Sequence, residues 1–343
     1  MEVRLFQAQD RDRWEDYVKR SPPATLYHQI GWKEVIERSF GHRGYYWLAE
    51  DPSGRIRGIL PLVHLKSLLF GSFMVSLPYF NYGGVCAEEE TVRSVLMEAA
   101  VEGAKRAGAA HIEFRQQAPV RADLPVKTAK VSMRLDLPAS AEALFQSFDA
   151  KLRSQIRRPT KEGMEARIGG IEELDSFYEV FSINMRDLGT PVYSKTFFKN
   201  IMEAFPGISW IGTVYKGAMP VASGFLLGFR ETLEIPWASS LSEYNPLGPN
   251  MLLYWTVLKF ACDRGYRIFD FGRSTTGEGT YRFKSQWGAK PVPLHWYYWI
   301  RNGGTMPELN PGNSKYRAAV ALWKKLPVAL TKLIGPSIVK NIP

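Results

Sequence analysis

The sequence predicts an α+β protein of layered helices and strands, built as two related halves in tandem. Three observations carry this prediction. Trp47-Leu48-Ala49 through Gly54 and Trp210-Ile211-Gly212 through Gly217 place Trp and Gly at the same separation, with an apolar strand on each side of the Gly turn. AKRAGAAHIEFR (104–115) and ACDRGYRIFDFG (261–272) both read as a helix end, a glycine C-cap and a strand, aligning Gly108 with Gly265 and Glu113-Phe114 with Asp270-Phe271. The two matches keep the same order, as a duplication requires.

The elements follow in order. In the first half, helices are expected over 10–19, 32–40 and 89–107, with strands about the Gly54 turn and after Gly108. The apolar span 58–77 contains Pro61, His64, Lys66 and internal glycines, so strands joined by a turn explain it better than a membrane helix. In the second half, helices are expected over 141–148 with Ser140 as N-cap, 151–163, 171–188, 194–205 and 249–264. Strands with helices packed on them give α+β or α/β layers. The boundary falls near Leu137-Pro138, giving an N-terminal subdomain 1–137, a C-terminal subdomain 138–300 and a tail 301–343. In that tail Leu322, Leu326, Leu330 and Leu333 recur at helical spacing among Lys324, Lys325, Lys332 and Lys340, and Pro327 starts or kinks a helix. The segment is either a helix docked on the protein or a basic amphipathic helix making peripheral contact with the inner membrane surface.

Composition narrows the function class. The 343 residues are 45% hydrophobic and 23% charged, values of an ordinary folded chain. The net charge of +10 suits nucleic acid, a phosphorylated carrier or an anionic membrane surface, and equally a basic surface kept for solubility. Cys86 and Cys262 lie far apart with no CxxC, and the five histidines are scattered, which argues against a disulfide scaffold and a metal site. The charged start lacks an apolar signal region, so a cytoplasmic protein is expected. P-loop and nucleophile-elbow motifs are absent.

Four segments remain as candidates for chemistry. FDFGRSTTGEGTYRFKSQWGAK (269–290) crowds Arg273, Arg282 and Lys284 after a strand end expected at Phe271. These cations either hold a phosphate or a developing oxyanion, or are exposed hairpin charges beside core aromatics. DAKLRSQIRRPTKEG (149–163) supplies Lys151, Arg153, Arg157, Arg158 and Lys161, suited to a polyanion or to a solvated helix face. SLPYFNYGGV (76–85) carries Tyr79 and Tyr82, and INMRDLGTPVYSKTFF (183–198) carries Arg186, Asp187 and Tyr193. Each lines a cleft or is a loop with core aromatics.

Taken together, YHQIGWKEVI, GRIRGILPLV, SLPYFNYGG, KLRSQIRRPTKEG, MRDLGTPVYSKTFF, LLYW, FDFGRS, YRFKSQWG and WKKLPVAL resemble the FemA/FemB/FemX family of aminoacyl-tRNA-dependent peptidyltransferases, across roughly 25–335. The likeness is greatest to the FemAB-like proteins found with exosortase/PEP-CTERM exopolysaccharide systems. The resemblance implies two tandem subdomains of the acyl-CoA N-acyltransferase (GNAT) fold sharing a cleft. It implies transfer of an aminoacyl or acyl group to an amine, with aminoacyl-tRNA or acyl-CoA as co-substrate and no permanently bound cofactor. The acceptor it implies is a phosphorylated or lipid-linked envelope precursor, of peptidoglycan or exopolysaccharide type. It further implies catalytic roles for Lys284, after Phe283, and for Arg186 on substrate phosphate, and substrate contacts from Tyr79 or Tyr82, Arg273, Ser274, Tyr193, Lys33 and Arg153. It carries over no general base: the attacking amine loses its proton to water or to substrate, and Asp270 and Asp187 are the acids that could otherwise take it. The long coiled-coil arm of some Fem proteins and an RxxGxG/A acyl-CoA loop are both missing from the sequence, which leaves either donor open. A non-catalytic carrier-binding module is the reading from another class.

Overall fold

The computed structural model describes residues 1–343 apart from 68–69, 121–122, 308–313 and 343. In chain order the elements are β1 (Glu2–Leu5), α1 (Arg11–Arg20), α2 (Gly31–Phe40), β2 (Arg43–Glu50), β3 (Ile56–Ser67), β4 (Gly71–Val75), β5 (Cys86–Ala87), α3 (Glu90–Ala107), β6 (His111–Gln116), β7 (Val126–Lys127) and β8 (Lys130–Asp136). There follow α4 (Ala141–Ser147), α5 (Ala150–Lys161), β9 (Met164–Gly169), α6 (Leu174–Leu188), α7 (Lys195–Ala204), β10 (Ser209–Lys216), β11 (Met219–Phe229), β12 (Thr232–Ser240) and α8 (Pro249–Asp263). The chain ends with β13 (Ile268–Thr275), α9 (Gly279–Ser285), β14 (Lys290–Pro293), β15 (His295–Ile300), α10 (Ser314–Trp323) and α11 (Val328–Val339).

The chain divides into two compact units. The first comprises Met1–Val131, Pro293–Leu309 and Lys340–Pro343; the second comprises Ser132–Val292 and Asn310–Val339. The first unit's sheet runs β1-β2-β3-β4-β6-β15-β7, with β5 beside β3. The β2–β3 and β3–β4 pairs are antiparallel, whereas β4 and β6 are parallel through Met74–Ile112 and Val75–Glu113. On one face lies α3, whose Val92, Leu96 and Ala100 meet Leu60, Leu62, Met74 and Trp47 in a buried core. Gly103 permits this approach, because a Cβ there would stand 2.8 Å from the Trp47 ring.

The second unit repeats the pattern. Its sheet runs β14-β8-β13-β12-β11-β10-β9, antiparallel from β9 through β12, with β12 and β13 parallel at Thr232–Glu234 and Ile268–Asp270. The helices α3 and α8 end identically. Ala109 N–H bonds Ala104 O and Gly108 N–H bonds Lys105 O; Tyr266 N–H bonds Ala261 O and Gly265 N–H bonds Cys262 O. Both are Schellman closures on a left-handed glycine, at φ 74° and φ 79°. The core of this unit is aromatic: Phe177, Phe198 and Phe225 pack with Trp237, mostly edge to face.

Four expectations are corrected. β15, placed by sequence at the close of the second half, lies in the first unit's sheet, antiparallel to β6 from His295–Gln116 to Ile300–His111. β8, placed at the end of the first half, enters the second unit's sheet beside β13. Pairing across more than a hundred residues leaves no local trace, so each strand's partner is set by the free edge of β6 or β13 rather than by its neighbours in sequence. The segment 281–284 is not part of a hairpin but of the helix α9, and β13 continues past Phe271 to Thr275.

Candidate active site

In the second unit β12 and β13 pair only at the start of β13. Each strand then runs on, to Ser240 and Thr275. At the far end of β13 the chain leaves the sheet and α9 folds back over it. α9 is seated by Phe283, whose ring meets Tyr254 edge-on at 5.0 Å, while Tyr254 stacks on Phe271 at 5.5 Å. This seating carries Lys284 inward. Its side chain is buried, and Nζ donates to Gly272 O at 3.0 Å and Arg273 O at 2.9 Å. An ammonium has three N–H donors, so these two carbonyls leave one for a ligand oxygen.

Burial pulls the Lys284 pKa down to about 8; Asp270 opposes the shift and Arg273 adds to it. Asp270 is fully buried and accepts from Ser132 Oγ at 2.6 Å, Arg134 Nε at 3.0 Å and Gly272 N at 2.8 Å. With its oxygens thus occupied Asp270, one of the two acids named for proton transfer, anchors the turn. Asp187, the other, is held at 2.5 Å by Arg186 Nε. Ser274 Oγ and Trp287 Nε1 are buried with no hydrogen-bond partner among the described residues. A buried donor without a partner is one that a ligand or an ordered water can satisfy.

The remaining expected residues are placed as follows. Arg273 is exposed on the turn above Lys284. Arg186, in the last turn of α6, donates from Nη1 to Leu326 O at 3.1 Å, so in this structure it grips the chain's own tail. Tyr193 is part of the aromatic core, 5.2 Å from Phe197 and 6.1 Å from Trp237. Arg153 is near the start of α5, with Nη1 3.4 Å from Gln146 O. In the first unit Tyr79 adopts φ 74° and donates to Lys340 O at 2.6 Å, an acceptor that His42 Nε2 also meets at 2.6 Å. Tyr82 is 2% exposed, edge-on to Tyr27, and is among the residues lining a hollow of about 170 Å³ with His28, Gly84 and Arg115. Lys33 is paired with Glu37 one helical turn on, at 2.7 Å.

Lys284, Phe283, Arg273 and Ser274 are therefore one constellation, whereas Arg186, Tyr193 and Arg153 stand on other elements of the same unit. Sequence reasoning missed Ser132 and Arg134, because nothing local places β8 beside β13. An open hollow of the second unit, about 660 Å³, lies instead among α4, α5, α8 and β9, lined by Phe145, Arg157, Leu252 and Trp255. It contains none of the Lys284 constellation, and size alone does not make it the reaction site.

Residues 146–285 match the acetyltransferase (GNAT) domain family, and residues 71–215 match the FemAB family. Among solved structures, FemX superposes with a TM-score of 0.67 at 17% identity, covering 88% of this chain and 98% of its own. L-PGS from Bacillus licheniformis gives 0.56 at 15%, covering 95% and 97%. A tandem GNAT protein from the clavulanic acid biosynthesis pathway gives 0.52 at 12%, covering 89% and 99%. No curated protein sequence matches. At these identities the structural likenesses show the fold: two GNAT-like units in tandem. Fold and family matches together define an acyltransferase of the double-GNAT class. Its residues 71–215 are FemAB-like, and enzymes of these families take their acyl group from a co-substrate, acyl-CoA or aminoacyl-tRNA, rather than from a resident cofactor.

Proposed function

We propose that this protein transfers an aminoacyl group from aminoacyl-tRNA to an amine of a phosphorylated or lipid-linked cell-envelope precursor, of peptidoglycan or exopolysaccharide type. The observation that carries the reading is Lys284, buried and fixed on two carbonyls where β12 and β13 part. The amine nitrogen attacks the ester carbonyl, a C–N bond forms, and the carbonyl oxygen gains negative charge. The third N–H of Lys284 neutralises that oxyanion in a site from which most water is excluded, where a fixed donor is worth most. The C–O bond then breaks, and the proton lost by the amine ends on the departing ribose hydroxyl. Ser274 and Arg273 orient the donor, and Arg186, on the same unit, takes acceptor phosphate once the Leu326 carbonyl yields.

The GNAT match over 146–285 favours acyl-CoA as the alternative donor, with a thiol leaving in place of the hydroxyl. Incubation with radiolabelled aminoacyl-tRNA or acyl-CoA and an envelope precursor bearing a free amine separates the two by which label enters an amide. Failure of both labels favours the non-catalytic carrier-binding module.

A further inference from the structure

The tail carries an unusual surface. Within the second unit α11 buries Thr331, Gly335 and Val339, one narrow stripe at four-residue spacing. Gly335 lies so near α6's following loop that a Cβ would stand 2.9 Å from Val192 N. Lys332 turns towards the body, its ammonium 5.3 Å from the Tyr178 ring centre. The opposite face carries Leu330, 39% exposed, and Leu333, 75%, with Ile338 at the edge of the buried stripe, 36% exposed. Leu322, near the end of α10, is 64% exposed. Beside it the end of α6 adds Leu188 at 58%, because a Cβ on the next residue, Gly189, would touch Val320 of α10.

Within the tail itself the charge has one sign, and the acids nearest α11, Asp175 and Glu179 of α6, share a hollow with Val328, Ala329 and Lys332. From Ser314 to the C-terminus the sequence holds six Lys or Arg and no Asp or Glu. Arg317, Lys324 and Lys325 are exposed at the N-terminal flank of the leucines. A second copy seated on the same face would set the tail's cations against each other. An apolar stripe flanked by cations matches instead the acyl region and headgroups of an anionic bilayer. α11 is about 18 Å long from its residue count, against a hydrocarbon core of about 30 Å. No helix among the described residues is long and apolar enough to cross a membrane.

We propose that the outer face of α11, with the end of α10, docks on an anionic lipid bilayer, lying in its plane with Leu322, Leu330, Leu333 and Ile338 among the acyl chains. The test uses the full chain and two vesicle types, phosphatidylcholine alone and phosphatidylcholine with phosphatidylglycerol, read by co-sedimentation. Neither acyl donor nor acceptor is present, so the result is independent of the transferase reading. The wild type is expected to sediment with the anionic vesicles, less so as salt is raised. Leu330→Asp with Leu333→Asp weakens that binding by about tenfold or more. Leu333 is largely exposed and Leu330 about two-fifths so, and a folded double variant is verified by its circular dichroism before the vesicles are added. A wild type that stays in the supernatant overturns the proposal, as does a double variant that binds equally well. Sedimentation velocity covers the rival occupant: a dimer that the same double variant dissociates, with no vesicle binding, makes this face a self-association surface instead.

Discussion

Asp270 and Lys284 act on opposite ends of one residue: the Asp270 carboxylate accepts Gly272 N–H at 2.8 Å, and Lys284 donates to Gly272 O at 3.0 Å. The acid fixes the turn whose carbonyls fix the lysine. It also supplies the negative charge that keeps the lysine protonated against its burial.

Replacing Asp270 with Asn therefore strikes both functions. The change leaves Arg134 without its carboxylate and is expected to cost about 3 kcal/mol in urea unfolding, the order found when one member of a buried pair is removed. Because the opposing charge is gone, Lys284 titrates at lower pH than in the wild type, read from its side-chain nuclear resonance. A Lys284 titration unmoved in the folded variant would show that Asp270 does not act on it.

Lys284 makes stability depend on pH in a defined direction. Its folded pKa of about 8 lies below the ordinary value of 10.5, so between these limits the unfolded chain holds a proton that the folded chain lacks. Stability then rises with pH across that window, by at most about 3 kcal/mol. Lys284→Met has no such gain. The expected result is a wild type that improves relative to the variant from pH 7 to pH 10.5; a constant difference would place Lys284 in solvent.

Arg186 spends a donor on the carbonyl of Leu326. Arg186→Met removes that hydrogen bond, at a cost of about 1 kcal/mol, and loosens the tail. Amide exchange in 328–339 is expected to quicken while exchange in β13 stays unchanged. If the tail is as protected as before, the Arg186–Leu326 contact does not hold it.

Sequence made the repeated caps legible and the swapped strands illegible, for a physical reason. Gly108 and Gly265 announce themselves because a left-handed closure needs glycine at a fixed offset from the helix end, a requirement written within six residues. β15 and β8 are ordinary apolar strands, and only the geometry of the completed sheets decides which edge each joins. The site was divided in the same way. Lys284 stood out as one of three cations after a strand, but whether it lay exposed on a hairpin or buried on α9 depended on Phe283 finding Tyr254, thirty residues back. The aromatic pattern that marked Tyr82 and Tyr193 as cleft residues is the same pattern that builds a core, and the structure uses both rings for packing.

The most direct measurement compares turnover of purified wild type and Lys284→Met with the donor that labels product, beside Lys284→Arg as a second cation in that position. The account predicts that the methionine variant, folded to the wild-type circular dichroism, loses a factor of about a hundred or more in kcat, as removal of an oxyanion donor does elsewhere, with a far smaller change in KM. A methionine variant that turns over at the wild-type rate would contradict it.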